Sequence, residues 1–151
     1  MFSFILVDDF YDDMNREDCF DTQDMDGVTP NYKFILASSC PQNINECIDS
    51  DGTLNNNVEI VYSDNERDGE CALLWSKGIN RERTISVSST SVSFDFGDVK
   101  PLIQGIFLVN IANGSGYVLA YSIRNSPLQL KSQCILPCDG MVWSIKHGSS
   151  Q

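Results

Sequence analysis

Three acidic stretches space their side-chain oxygens in the way that calcium-binding loops do. The best of them is "DNERDG", residues 64–69, which has Asp64, Glu66 and Asp68 at alternate positions, as the first half of such a loop has. Its twelfth position, where an EF-hand carries a bidentate glutamate, is Trp75. Aspartate and glycine also favour tight turns, so each of the three stretches, "DNERDG", "TQDMDG" and "CIDSDG", predicts a turn. A weakly bound ion at "DNERDG" stays open as the alternative.

Six cysteines are the other candidates for metal or redox chemistry: Cys19, Cys40, Cys47, Cys71, Cys134 and Cys138. Zinc sites usually pair cysteines at tighter spacings and often add histidine, yet the chain has one histidine, His147. The stretch "CILPC" places two cysteines on one face of a strand, so we interpret them as core residues. The N-terminus lacks the features of a secretory signal, and a chain kept in a reducing cytosol is expected to have free thiols.

The single histidine also argues against hydrolytic catalysis. A base at His147 would need a nucleophile in an activating turn, and the sequence contains no G-x-S-x-G motif. It contains no glycine-rich loop of the kind that cradles phosphate, and its many acidic residues do not single out a catalytic pair. We therefore expect a protein that is not an enzyme and that has no cofactor or metal.

The charge of the chain is strongly negative and unevenly distributed. The net charge is -11, and residues 1–70 hold seventeen of the 21 acidic residues against three basic ones. Lysine and arginine are not clustered, and since binding to phosphates depends on such clusters we expect no nucleic-acid partner. The opening "MFSFILVDDF" is apolar only as far as Val7, which is too short for a membrane span. We interpret the acidic part as a solvated face, with a basic partner surface as the alternative.

Short strands are the elements that must position all of these residues. The length fits one domain, residues 1–151, without a repeat or linker. Apolar runs bounded by turn residues predict strands in "MFSFILV", "NYKFILASS", "VEIVYS", "CALLWSK", "RTISVSS", "SVSFDF", "PLIQGIFLVN", "GYVLAYSI", "LQLKS", "CILP" and "MVWSIKH". "VEIVYS" and "CALLWSK" stand at hairpin distance, "NGSG" predicts another hairpin, and "PQNINECIDSDGTLNNN" predicts a long polar connection.

Two details refine the strands of the C-terminal half. The apolar positions of "RTISVSS" are odd-numbered and those of "SVSFDF" even-numbered, which predicts a bulge or turn near residues 89–91. "PLIQGIFLVN" is almost continuously apolar, as a strand covered on both faces is, and we expect a core that includes Ile106, Leu108, Val118, Leu119, Val142 and Ile145. Together the strands predict an all-β fold, an antiparallel β-sandwich of jelly-roll-like order with an irregular acidic N-terminal segment.

The order of the C-terminal strands resembles that of small virion proteins of tailed bacteriophages. In those proteins an apolar strand, a strand with an "LAY"-like triplet, a "P-L-x-L" strand and a glycine-preceded final strand follow one another. A similar order is present here in "VSFDFGDVKPLIQGIFLVN", "GSGYVLAYSI" and "SPLQLKSQCILPCDGMVWSI". The resemblance covers residues 84–147 and includes no functional residue. It implies a structural virion protein of decoration, connector or tail type, made in the host cytoplasm, that binds copies of itself and neighbouring capsid or tail subunits.

Other functions stay open on the sequence alone. A lectin-like or carbohydrate-binding β-sandwich is the alternative, and a row of exposed aromatic side chains or a concave pocket would favour it. Large contacts with other chains would favour the virion protein instead. An enzyme ranks third because no catalytic constellation was found.

The interaction surface is expected in residues 1–30, as an arm or an edge segment. Aromatic and apolar residues stand among acidic ones there: Phe2, Phe4, Leu6, Phe10, Tyr11 and Phe20. Contiguous apolar patches on soluble proteins mark interaction sites, with apolar anchors inside and charges at the rim. The alternative is that the first strand joins the sheet of its own domain and that its aromatic side chains fill the core.

Overall fold

The computed structural model describes residues 4–6, 27–77, 82–88, 91–111, 116–138 and 142–146, and of residues 6, 27–30, 75–77, 82–85 and 142–146 it describes the backbone alone. These residues form one turn of 3-10 helix, Ile44–Glu46, and ten strands. The strands are β1 (Ile5–Leu6), β2 (Gly27–Ser39), β3 (Glu59–Val61), β4 (Glu70–Lys77), β5 (Glu82–Val87), β6 (Ser91–Asp95), β7 (Leu102–Asn110), β8 (Tyr117–Gln129), β9 (Gln133–Pro137) and β10 (Val142–Lys146).

Eight of the strands form one antiparallel sheet in the order β1-β8-β7-β2-β4-β5-β10, with β3 beside β2. The long strand β2 holds β7 along one edge, where Phe34 is paired with Leu108. Along its other edge β2 holds first β4 and then β3, where Leu36 is paired with Val61. The predicted all-β, antiparallel architecture is confirmed for the part of the chain that the structure describes.

The remaining two strands, β6 and β9, pair with each other and cover one face of the large sheet. Their alternation places Val92, Phe94 and Leu136 in the same buried cluster as Phe34 and Leu108. The chain therefore passes from one sheet to the other between β5 and β6, and this passage accounts for the shift from odd to even apolar positions.

The opposite face of the sheet is covered by residues 40–58, which we call the cover segment. Its buried side chains Cys40, Cys47 and Val58 pack with Phe107 and Val109 of β7. A short backbone ladder shapes the segment, because Asp49 N–H donates to the Thr53 carbonyl and Asn55 N–H to the Cys47 carbonyl. The predicted polar connection is thus a second layer over the sheet.

Strand β7 lies between these two layers and is buried from Gly105 to Asn110. The expectation of a strand covered on both faces is confirmed. The four described side chains of the expected core, Ile106, Leu108, Val118 and Leu119, are all buried, while those of Val142 and Ile145 lie outside the described residues. Side chains of β7 alternate between the two clusters, with Phe107 on the side of the cover segment and Leu108 on the side of β6 and β9.

Two predicted strand relationships are wrong. The strands β3 and β4 do not form a hairpin, because both pair with β2. The loop between them contacts the end of β6, where Asp64 N–H donates to the Asp95 carbonyl at 2.8 Å. The stretches "GYVLAYSI" and "LQLKS" are not separate strands either. A single strand, β8, runs through the first and ends at Gln129 within the second, and its register with β7 shifts between the pairs Ile103–Leu128 and Gly105–Ile123. A bulge of this kind accommodates Pro127, which cannot donate to the ladder.

Candidate functional site

The N-terminal strand β1 and the outer edge of β8, which faces away from β7, form the best candidate for an interaction site. Only two residues of β1 pair with β8, Ile5 with Tyr121 and Leu6 with Ala120. At the start of the same edge, the cover segment contributes a backbone hydrogen bond from Val118 N–H to the Gly52 carbonyl at 3.0 Å. From residue 122 to residue 129, no described strand other than β7 pairs with β8.

Phe4 anchors this short strand. Its ring meets the ring of Phe34 edge to face, with a centroid distance of 5.6 Å, and it packs against the main buried cluster. The next residue, Ile5, has 56% of its surface exposed. The strand therefore has one aromatic anchor in the core and an apolar side chain that faces outwards.

The six residues predicted to form the interface differ in what the structure describes of them. Phe4 packs within its own chain, as the alternative interpretation of this segment expected. The backbone of Leu6 pairs with Ala120, and its side chain lies outside the described set. Phe2, Phe10, Tyr11 and Phe20 also lie outside the described residues, so their place in an interface stays a prediction. The edge of β8 was not among the predicted sites, because the sequence does not show which strand edge stays open.

The loop "DNERDG" is a turn tied to β6. A carboxylate oxygen of Asp68 accepts a hydrogen bond from Asp95 N–H at 3.0 Å, and the side-chain oxygen of Asn65 accepts one from Arg67 N–H at 3.0 Å. Gly69, which closes the loop, is buried and has a φ of 87°. Among the described residues, no group of three His, Cys, Asp or Glu side chains is arranged to hold a metal ion.

The stretch "CIDSDG" is a turn as well, within the cover segment. Asp51 accepts hydrogen bonds from both the hydroxyl and the N–H of Thr53, at 2.7 and 3.1 Å. These bonds hold the pKa of the Asp51 carboxyl below its ordinary value, the side-chain bond contributing most. Its carboxylate is therefore used to fix a turn. "TQDMDG" lies almost entirely outside the described residues.

An open cleft of about 450 Å³ lies beside this loop, between Asp68 and the two-stranded sheet. Its lining combines polar groups with the edge of the core: Asp68, Ser93, Phe94, Asp95, Gln133, Cys134 and Ile135. Carbohydrate-binding surfaces usually offer exposed aromatic rings, but Phe94 is buried. Tyr62, which is 81% exposed, is the one aromatic residue among the exposed large apolar side chains of the described residues. The row of aromatic side chains that would favour a lectin is thus not seen in this part of the chain.

The five cysteines in the described residues are free, and Cys40, Cys47 and Cys138 are buried. Burial raises the pKa of the Cys47 thiol to about 12, with a further contribution from neighbouring Cys40. Burial likewise raises the pKa of Cys71 to about 12, to which neighbouring Cys138 adds. Since the thiolate is the reactive form, these cysteines behave as small apolar core residues.

Within the described residues, no helix is long and apolar enough to cross a membrane. Comparison of the chain with protein-family models, with curated proteins and with solved structures gave no match.

Proposed function

We propose that this chain is a structural protein of a bacteriophage virion, which binds copies of itself and neighbouring capsid or tail subunits. The observation that supports this role best is the outer edge of β8. Thirteen residues long, β8 pairs along that edge with only two residues of β1. An assembling subunit can use such an edge, because an added strand continues the sheet beyond β8.

The fold is suited to a subunit of this kind. We propose that its two sheets form a sandwich of unequal layers with jelly-roll-like order, in which β6 and β9 are the smaller layer. Contacts of Val92, Phe94 and Leu136 with the large sheet support the sandwich. The proposed role requires no catalytic group, cofactor, nucleic acid or membrane, and it places the protein in the virion after synthesis in the host cytoplasm.

The mass of the protein in solution tests this proposal. Native mass spectrometry and light scattering over a wide concentration range should show oligomers whose share rises with concentration. A monomer at every concentration that also fails to bind virion subunits would overturn the proposal. A monomer that binds a glycan in an array would favour the carbohydrate-binding alternative instead.

A matched pair of surface variants connects the assembly to the edge of β8. Asn125 is exposed on β8, and lysine on an open strand edge opposes pairing with another chain. Asn125→Lys is therefore expected to shift the oligomers towards monomer. Asn56→Lys makes the same change in charge at an exposed position of the cover segment and should leave the distribution unchanged. Equal oligomer distributions for both variants would place the interface elsewhere.

A further inference from the structure

Two thiols lie side by side beneath the cover segment. Cys40 and Cys47 are both buried in the cluster that this segment forms with β7. The Cys47 thiol is close enough to the Cys40 sulfur to donate a hydrogen bond to it. Its Sγ also lies 3.3 Å from the carbonyl oxygen of Pro41, the residue that follows Cys40. The two side chains therefore meet across a turn of the backbone.

Hydrogen bonds of the chain itself hold this turn in shape. At one end, Cys40 N–H donates to the Oε1 of Gln104 on β7 at 3.3 Å. At the other end, Cys47 N–H donates to the Ile44 carbonyl at 2.9 Å and closes the 3-10 helix. The cysteines are thus the two ends of a loop of eight residues, 40–47. Groups that the fold already holds together react with each other far faster than groups on separate molecules.

From this arrangement we infer that Cys40 and Cys47 form a disulfide when the protein meets a small oxidising disulfide, and that the bond fastens the cover segment over β7. The pair is then a site of oxidative modification. This property goes beyond the proposed assembly and does not depend on it. A reducing compartment keeps both thiols free, as they are in the structure.

The reaction is thiol–disulfide exchange, for which glutathione disulfide serves as the oxidant. Cys40 reacts first, because its side chain is 7% exposed while Cys47 is fully covered. Its thiolate displaces one glutathione thiolate and forms a mixed disulfide. The Cys47 sulfur then attacks the Cys40 sulfur, and the second glutathione leaves as a thiolate that takes up the Cys47 proton. The cysteines lose two hydrogen atoms in total, and one glutathione disulfide is reduced to two glutathione molecules.

Burial makes the exchange slow in the folded protein. It raises the pKa of the Cys40 thiol, and it raises that of Cys47 to about 12, with a further contribution from Cys40. Since the thiolate is the attacking form, brief contact with an oxidant leaves the pair reduced. Prolonged contact, or oxidation while the chain folds, is expected to produce the bond.

Peptide mapping of the unaltered protein tests the pairing. Reduced protein is incubated in glutathione buffers from fully reduced to fully oxidised, and a second sample is refolded from urea in the same buffers so that equilibrium is approached from both sides. Trypsin and a glutamate-specific protease together yield the peptides 34–46 and 47–59, of which the first contains Cys40 and the second Cys47. In the oxidising buffers we expect these two peptides to be linked, and the chain to lose about 2 Da.

The other results of the mapping contradict the inference. Glutathione adducts on Cys40 and Cys47 without a bond between them, or two unmodified thiols in both samples, would show that the pair cannot close. Links of Cys40 to several different cysteines would show that the fold does not select Cys47. A link between two chains, seen as a dimer on a non-reducing gel, would also overturn it.

Two serine variants form a matched comparison. Cys134 lies on β9, on the opposite side of the large sheet, so Cys134→Ser should form the bond as the natural protein does. Cys47→Ser should stop after the first step, with glutathione retained on Cys40. Loss of the bond in Cys134→Ser would overturn the proposed pairing, as would an equally rapid link from Cys40 to another cysteine in Cys47→Ser. Circular dichroism shows whether each variant is folded, and mapping of the natural protein decides if one is not.

Hydrogen exchange tests the effect on the cover segment. The N–H groups of Asp49 and Asn55 form its backbone ladder and exchange when the segment opens. With Cys47 bonded to Cys40 we expect these amides to exchange at least about tenfold more slowly, because the open segment is constrained. The amides of β9 should keep their rates. Unchanged exchange of Asp49 and Asn55 in the oxidised protein would show that the bond does not fasten the segment.

Discussion

The ring of Phe4 contacts the ring of Phe34 at an interplanar angle of 67°, although two strands lie between the strands that carry them. The contact is made on the face of the curled sheet that β6 and β9 also cover. The N-terminal strand therefore closes one side of the main buried cluster. Its removal affects both the edge of the sheet and the core beneath it.

Phe4→Ala is expected to lower the free energy of unfolding by about 1–3 kcal/mol, less than for a fully buried phenylalanine, because the ring is only partly buried. Ile5→Ala, on the same strand but exposed, should change it by less than about 0.5 kcal/mol. Urea melts of both variants measure the difference. Similar values for the two would show that the ring of Phe4 is not held against Phe34.

Deletion of residues 1–20 is expected to leave a folded domain that no longer assembles. The described contacts of this segment are the β1 pairs and the ring of Phe4, whereas β2 and β7 supply the centre of the sheet. Circular dichroism and light scattering follow folding and assembly separately. An unfolded product would show that the segment is an essential part of the core, and normal assembly would place the interface elsewhere.

Leu108→Ala should lower the free energy of unfolding by roughly 2–5 kcal/mol, because it empties a site between the large sheet and β6–β9. Leu102→Ala is the matched control, since it makes the same change on the same strand where the side chain is 50% exposed. Its effect should be small. A change below about 0.5 kcal/mol for Leu108→Ala would mean that β7 is not central.

Much of the strand layout could be predicted because alternation and turn residues are local signals. The runs around Phe34, Phe94 and Leu108 each give a strand at the expected place. Which strands pair is a different question, since it depends on contacts far apart in the chain. The hairpin expected for β3 and β4 failed for this reason, because the sequence does not show that Leu36 of β2 takes Val61 as its partner.

The cover segment shows a second limit of the sequence. Asparagine, aspartate and serine dominate "PQNINECIDSDGTLNNN", so its composition indicates only turns. Its apolar residues Ile44, Cys47 and Ile48 have the spacing of a single helical turn, and together with Leu54 they face the same cluster. A periodic signal as short as this does not predict a layer over the sheet. The candidate site at β8 could not be predicted either, because which strand edge stays open depends on which strands pair with each other.

Gly69→Ala is expected to be strongly destabilising. A Cβ at this position would lie 2.7 Å from the Phe34 carbonyl oxygen and 2.9 Å from the Phe94 ring, and the φ of 87° is unfavourable for alanine. Gly116→Ala shares the positive φ, at 73°, but its nearest atom would be 3.9 Å away. Backbone strain of roughly 1–3 kcal/mol applies to both variants. The additional loss in the free energy of unfolding that urea melts show for Gly69→Ala therefore measures the steric clash. Equal losses would argue against the close approach at Gly69.

Cys71 is expected to make stability fall in alkaline solution. Its folded-state pKa of about 12 exceeds the ordinary 9.0, so between these values the unfolded chain loses a proton that the folded chain keeps. The contribution is fully present below about pH 9 and is lost as the pH rises towards 12. Urea melts from pH 8 to 10.5 should show a steeper decline for the natural protein than for Cys71→Ala.

Alkylation of the thiols provides a separate check on the same groups. In the folded protein at pH 8, iodoacetamide should modify Cys47 and Cys71 far more slowly than in urea, where all six cysteines of the chain should react. Peptide mass spectrometry assigns each site. Fewer than six modified cysteines in unfolded, unreduced protein would reveal a disulfide, and rapid native modification of Cys71 would contradict the shielding of its thiol by the main buried cluster.

The burial of β7 on both faces has a consequence for how the chain selects a single alignment. In a strand with one wet face, a slip by one residue exposes apolar side chains, but β7 has no wet face between Gly105 and Asn110 to impose that penalty. The register of β7 is selected instead by the space that the cover segment leaves above it. A Cβ at Gly105 would lie 2.9 Å from the Sγ of Cys40, so the cover segment leaves room there for a hydrogen atom only. A slip in either direction would bring Gln104 or Ile106 under Cys40, and the segment over the sheet thereby fixes the alignment of the strand beneath it.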